Sequence, residues 1–255
     1  MVGWMRGLVV RLYRFPVKSL QGEEMAAVYV SAHGFDGDRL YAVVEPETGF
    51  AVSAKKEPRL LDVYASLEGE NLVIKFPDGR TCRGDDCGEA LSKYLGRRVE
   101  VVRSRGTSLT YVGMGVEFGD VVRLYEKTGQ TAEARFHDSM PLHLVKLESL
   151  QKIGLDEKDI PRFRPNIVYS SDADEQELVG GYIQAGDVLL RIVKPTKRCI
   201  VITHAQPGLQ ASIELLKSLR TNHQGVFGLY AEVVNPGTIA KNTPLKFYPA
   251  AGIQE

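Results

Sequence analysis

At 255 residues, with 44% apolar and 25% charged side chains, the chain has the composition of an ordinary globular protein and room for two modest domains or one large β-rich one. Lysine plus arginine balance aspartate plus glutamate at 32 each, which removes the global positive field that non-specific nucleic-acid or anionic-membrane binding needs; any anion must be held by a local cluster. Arg6, Arg11 and Arg14 interrupt any secretory core, no stretch is long enough to span a membrane, and Cys82, Cys87 and Cys199 form neither an even disulfide framework nor a CxxC zinc pattern, so a cytoplasmic chain with free thiols is expected.

Short β-branched and aromatic runs follow one another along the chain: LVVRLYRF, AAVYVS, RLYAVV, LDVYASL, NLVIKF, VEVVRS, VVRLY, LHLVKL, NIVYS, VLLRIV, CIVIT and FGLYAEVV. Each reads as a strand. Turn signals separate them at Glu68-Gly69-Glu70-Asn71, Pro77-Asp78-Gly79 and Asn235-Pro236-Gly237. Helical spacing of apolar residues occurs only from Gly88 to Leu95, near Leu147 to Gly154, and from Ala211 to Leu219. The fold class is therefore strand-rich α+β. The stretch SRGTSLTYVGMGVEFGD breaks the strand pattern, and a domain boundary is placed at Arg105, giving segments 1–104 and 105–255. The stripe Leu142, Leu144, Leu147 and Leu150 reads as core.

Three segments carry chemistry. In Lys194-Pro195-Thr196-Lys197-Arg198-Cys199, between the runs VLLRIV and CIVIT, two cations stand directly ahead of a thiol at the mouth of an expected hairpin. A thiolate is the form that attacks electrophiles or ligates soft metals, whereas the plain alternative is a small apolar residue opening a strand. In Arg162-Phe163-Arg164-Pro165-Asn166 the proline predicts extended backbone at Arg164, which would present a guanidinium fork to a phosphate or carboxylate beside the Asn166 amide. In Phe15-Pro16-Val17-Lys18-Ser19 and Gly34-Phe35-Asp36-Gly37-Asp38-Arg39, Lys18, Ser19 and Arg39 supply charge and a hydroxyl for an oxyanion; the plain alternative is a solvated turn with an Asp–Arg pair. His33, His137, His143 and His223 are too irregularly spaced for a zinc site, so structural or surface roles are expected.

In order, PVKSLQG, GFDGDRLYAVV, FHDSMPLHLVKLESL, RFRPNIV, KPTKRCIVIT and GLYAEVVNPGTI resemble the MOSC family, in the branch that includes the amidoxime-reducing components, from about Arg6 to Phe247. The resemblance implies a β-barrel-like MOSC domain at 105–255 after a β-rich MOSC N-terminal domain, described for the family as barrel-like, at 1–104. It implies a molybdenum cofactor, with Cys199 as the metal-ligating thiolate and catalytic residue. Arg198, Arg164, Lys18, Ser19, Arg39, Asp138 and Ser139 are implied to bind the cofactor, and Asn166 and Thr203 to stand behind them. One departure follows the RC motif: where many members read Val-Asp-Pro and Thr-Gly, this chain reads Thr203-His204-Ala205-Gln206-Pro207-Gly208, which makes His204 an alternative proton donor or a loop cap.

The implied activity is reduction of an N-hydroxylated or N-oxide small molecule, with electrons from a separate iron–sulfur, flavin or haem protein. An iron–sulfur cluster needs about four cysteines, and Cys82 and Cys87 do not complete one. The alternative from another class is a cofactor or persulfide carrier without turnover. A full cofactor sulfurase would need a pyridoxal-phosphate domain, for which this length leaves no room. A metal-free cysteine transferase using Cys199 with His204 or His137 has no supporting spacing.

Overall fold

A computed structural model describes residues 6–104 and 135–250, together with the backbone of 113–115 and 123–125. The boundary placed at Arg105 lies outside the described residues. Two compact units interleave along the chain: unit 1 comprises residues 1–14, 23–36 and 139–255, and unit 2 comprises 15–22 and 37–138.

Unit 1 is built on a closed barrel of 7 strands. Around it run Ile167–Ser171, Leu142–Lys146, Val226–Asn235, Val188–Lys197, Tyr182–Ala185, Pro244–Tyr248 and Arg6–Arg14, and the last pairs back onto the first. That closing ladder is antiparallel and places Gly7 opposite Ser171 and Leu12 opposite Ile167. Closure satisfies every strand edge around the ring, which is how an all-strand layer avoids exposing unpaired backbone groups.

Inside lie Leu12, Leu142, Leu144, Ile167, Tyr169, Ile183, Leu190, Ile192, Leu229 and Phe247. The strand Leu142–Lys146 is buried along its whole length, because its other face meets a second cluster. There Val145, Leu150, Phe163, Val168, Ile202, Leu216 and Leu219 join the helices Leu147–Lys152, Ile160–Phe163 and Ile213–Asn222. Burial on two faces agrees with the lack of a strict apolar–polar alternation in LHLVKL, whose His143 and Lys146 are also buried.

Unit 2 contains the antiparallel strands Tyr64–Glu68, Asn71–Lys75 and Thr81–Arg83, the pair Tyr41–Val44 with Glu100–Arg103, and the helix Asp86–Leu95. Glu68 opposes Asn71 across a two-residue turn whose Gly69 has φ 62°, a backbone conformation that glycine adopts without a Cβ penalty. The helix stops at Gly96 in the left-handed conformation, the residue type that most readily closes a helix in that way. Its apolar face, Cys87, Leu91 and Leu95, packs with Leu20, Leu60, Val63, Ile74 and Phe76.

Two sequence expectations fail locally. CIVIT is not a strand: Ile200–Thr203 is a 3-10 turn. Its carbonyls are used locally instead of by a neighbouring strand: Ile200 O accepts from Thr203 Oγ1, Val201 O from His204 N, and Ile202 O from the buried Arg162 guanidinium at 3.3 Å, while Ile202 packs under the helices. Tertiary contacts here outweigh β propensity. The barrel strands Tyr182–Ala185 and Pro244–Tyr248 have no counterpart among the expected runs, being short and mixed in polarity.

Gly228 shows where barrel geometry demands one residue type. Pro195 opposes Leu229 but Lys197 opposes Val226, so the Val226–Asn235 strand carries one extra residue, a bulge. Gly228 sits in it at φ 81°, and a Cβ would stand 2.6 Å from both His143 Nε2 and Leu144 O. Gly186 has φ 60° with open space around it. Gly228→Ala should therefore cost about 3 kcal/mol in urea unfolding, clash added to strain, and Gly186→Ala about 1 kcal/mol from strain alone; equal losses would reject the close-approach role of Gly228.

Candidate functional site

The residues singled out from the sequence fall into one cluster in each unit. In unit 2, Asp38 is fully buried. Its Oδ1 accepts from Phe15 N at 2.7 Å and its Oδ2 from Arg39 Nη1 at 2.5 Å, with His137 Nδ1 3.8 Å away. The Arg39 guanidinium lies 4.6 Å over the Phe15 ring, and its backbone donates to Phe15 O at 2.7 Å and accepts from Phe136 N at 2.8 Å. The Asp–Arg pair is thus a buried, stacked anchor rather than a solvated turn.

Lys18 is placed by its own amide, which donates to Tyr41 O at 2.8 Å. Its ammonium donates to Phe136 O at 3.2 Å and forms a very short ion pair with Asp138. Lys18 is largely sheltered and Asp138 is largely exposed. Lys18, Arg39 and Asp138 therefore gather around the Phe136–Asp138 segment. Ser19 follows Lys18 with φ 72°.

In unit 1, Arg198 ends the approach from the strand Val188–Lys197. Its amide donates to Gly225 O at 2.8 Å, Nη2 donates to Phe163 O at 3.0 Å, and the guanidinium lies 5.4 Å over the Phe163 ring. Nη1 stands 3.4 Å from His143 Nε2. Cys199 follows in extended conformation at the start of the 3-10 turn and is half-buried. It belongs to none of the apolar clusters, unlike Cys82 and Cys87. Thr203 closes that turn by donating from Oγ1 to Ile200 O at 2.7 Å, so its hydroxyl is engaged with its own backbone.

Arg164 departs from the expected extended backbone. It is left-handed, φ 53° and ψ 50°, because it caps the short helix Ile160–Phe163, its amide donating to Pro161 O at 3.2 Å before Pro165 forbids another turn. Asn166 is buried, and its groups are used on two barrel strands. The amide donates to His143 O at 2.7 Å, the carbonyl accepts from Tyr13 N at 2.8 Å, Oδ1 accepts from His143 N at 3.2 Å, and Nδ2 donates to Tyr13 O at 3.3 Å. Ser139 is half-buried at the start of the longest segment of unit 1.

Ser19, Arg39 and Arg164 are three of the five described non-glycine residues with positive φ. Such conformations cost on the order of 1–3 kcal/mol each and persist where surrounding contacts over-determine them, commonly at ligand sites. Three sequence-selected residues sharing that uncommon geometry is an observation independent of their charge.

The model of the MOSC N-terminal beta barrel domain matches residues 6–104, and that of the MOSC domain matches residues 131–246. The chain belongs to the MOSC family. Its relatives include mitochondrial amidoxime reducing component 2 of Rattus norvegicus, 25% identical over 94% of this chain and 82% of that one, and mitochondrial amidoxime-reducing component 1 of Homo sapiens, with the same identity and shares. Molybdenum cofactor sulfurase of Drosophila grimshawi is 23% identical over 89% of this chain, which spans 32% of that longer protein. Among the described residues of this MOSC protein, no helix is long and apolar enough to cross a membrane.

Several groups in the MOSC clusters escaped sequence reading. His143 lies against Arg198, Phe163 forms the floor under that guanidinium, and Asp38 anchors Arg39. Arg162 pairs with Asp159 at 3.2 Å and donates to Ile202, His204 and Gln210 carbonyls, the last at 2.6 Å, so one buried guanidinium holds the loop that follows Cys199. The Asp38-Arg39 adjacency and the three-residue spacing of Asp159 and Arg162 are local; the other contacts join residues remote in sequence.

Arg164→Gly should be about 1 kcal/mol more stable than Arg164→Ala in urea unfolding, since both lose the guanidinium and only glycine relieves the left-handed strain. Equal stabilities would place Arg164 in unstrained backbone. A second expectation concerns His204, whose Nε2 is buried without a hydrogen-bond partner among the described residues and whose pKa burial pushes down. The unfolded chain therefore takes up this proton first, so stability is full above the ordinary histidine range and declines as pH falls through it. The urea midpoint should drop less between pH 7 and pH 5 in His204→Gln than in the native chain; parallel curves would remove His204 from that dependence.

Proposed function

We propose that this MOSC protein binds a molybdenum cofactor and reduces N-hydroxylated or N-oxide small molecules. The observation that carries the reading is Cys199: a half-buried thiol outside the apolar clusters, directly after a guanidinium fixed by a carbonyl and an aromatic ring. The donor set fits such a group. In unit 1 it offers one soft sulfur for the metal and, in Arg164 and Arg198, cations for a phosphate; Lys18 and Arg39 of unit 2 join them as the family resemblance implies. The amidoxime-reducing and cofactor-sulfurase names of its relatives agree with this chemistry.

When bound, the cofactor supplies the two-electron chemistry that takes oxygen from the substrate. The chain's residues hold and orient it. In this reading Cys199 is the catalytic residue, because its sulfur ligates the metal. Arg164 and Arg198 grip anionic oxygens through charge-assisted hydrogen bonds worth roughly 1.5–3 kcal/mol each. Lys18, Ser19, Arg39, Asp138 and Ser139 contribute further polar contacts to the pterin and phosphate. Asn166 and Thr203, whose side chains hold backbone, keep the ligating segments in place. Electrons are assigned to a separate iron–sulfur, flavin or haem protein.

The test is metal analysis followed by turnover. Protein produced in a host that makes molybdopterin should contain molybdenum, Cys199→Ala should lose it, and the loaded native protein should reduce a model amidoxime with an artificial electron donor. Molybdenum retained in Cys199→Ala would reject ligation by that sulfur. Loaded protein that never turns over would leave the cofactor carrier as the function.

A further inference from the structure

Cys82 and Cys87 stand apart from the proposed chemistry. Both are buried in the unit 2 core, at 9% and 0% exposure, and their sulfurs are 2.6 Å apart. The local chain brings them together. Cys82 is the inward residue of the strand Thr81–Arg83, opposite Ile74, with Thr81 and Arg83 exposed. Gly84 then turns at φ 53° with no atom near where a Cβ would be, and Cys87 N donates back to Gly84 O at 3.2 Å. That turn folds the first helical turn of Asp86–Leu95 over the strand, with Cys87 on its buried face. A left-handed residue, an inward strand position and an inward helix position thus converge on one pair of sulfurs.

We propose that Cys82 and Cys87 form an intramolecular disulfide that clips this strand to this helix. The bond is made by exchange with a low-molecular-weight disulfide such as oxidised glutathione. One cysteine thiolate attacks the oxidant and releases one reduced thiol. The second thiolate displaces the other, leaving the protein disulfide, two reduced small thiols and no net change in atoms or electrons. Burial raises both thiol pKa values, with desolvation the leading cause at each, so the reduced pair reacts slowly in the native state and the finished bond is shielded from reductant. The closed loop runs from Cys82 to Cys87, and a loop this short gains less chain-entropy stabilisation than a long one. Its effect is local, on the seating of the helix.

The experiment uses the full chain. Protein equilibrated with oxidised glutathione, then denatured and alkylated without reductant, is measured by intact mass. One adduct is expected, of the alkylating agent or of glutathione on Cys199, with a proteolytic fragment in which Cys82 and Cys87 are linked; prior reduction gives three alkyl adducts. Because slow reaction is part of the proposal, equilibration is repeated in a urea concentration that opens unit 2 transiently. Three adducts under both conditions, or linkage of either cysteine to Cys199, would overturn the clip. The oxidised native protein should also melt a few degrees above its reduced form, and Cys82→Ala with Cys87→Ala should melt at the same temperature with and without reductant. A reductant-dependent shift that persists in the double variant would equally reject it. None of these readouts requires molybdenum or turnover, so they stand or fall apart from the proposed function.

Discussion

The pairing of Arg6–Arg14 with Ile167–Ser171 is the constraint on which unit 1 depends. Without it the sheet would be an open ribbon with two long edges; with it, seven strands close around one apolar interior. The pairing joins residues separated by most of the chain, and such contacts repay their loop-closure entropy only once formed. Asn166 secures the end of that seam. Its backbone and side chain engage Tyr13 on one side and His143 on the other, so three barrel segments meet at a single buried amide. An unpaired group here would cost about 1–3 kcal/mol, which makes the amide a specific requirement rather than a space filler.

Unit 1's candidate groups inherit their positions from this seam. His143 is set by its backbone exchange with Asn166, and Gly228 lets the bulged strand come within reach of the His143 ring. His143 in turn stands beside Arg198, whose other supports are Phe163 O and the Phe163 ring. A guanidinium held from three directions loses little further freedom on meeting an anion, and affinity gained by preorganisation needs no additional contact. Arg162 performs the corresponding task for backbone, fixing three carbonyls after Cys199 with a single side chain that Asp159 balances.

Much of the fold was legible because strands and helices announce themselves by local period. The helix Asp86–Leu95 with its Gly96 stop, and the Glu68–Asn71 turn, need only neighbouring residues to be read. Tyr182–Ala185 and Pro244–Tyr248 do not, since each is a short segment whose strand character comes from partners across the barrel. Ile200–Thr203 misleads for the converse reason: its β-branched residues favour a strand, but contacts within the turn and Arg162 on Ile202 O occupy the carbonyls that a ladder would use. Arg164 likewise follows a helix ending instead of the preference set by its proline. The charged members of the site could be picked out by residue type and adjacency, whereas the groups that orient them, His143, Phe163 and Arg162, are joined to them only by tertiary folding.

Backbone strain links these two kinds of residue. A left-handed arginine or serine is less stable than glycine at the same place by about 1 kcal/mol or more, so Ser19, Arg39 and Arg164 carry a cost that a glycine would avoid. For Arg39 the compensation is visible, since a buried carboxylate, an aromatic face and two backbone hydrogen bonds hold it. The same contacts that offset the strain also aim the guanidinium. A side chain retained against its backbone preference and oriented by its neighbours is organised before any ligand arrives, which is what the proposed cofactor site would ask of it.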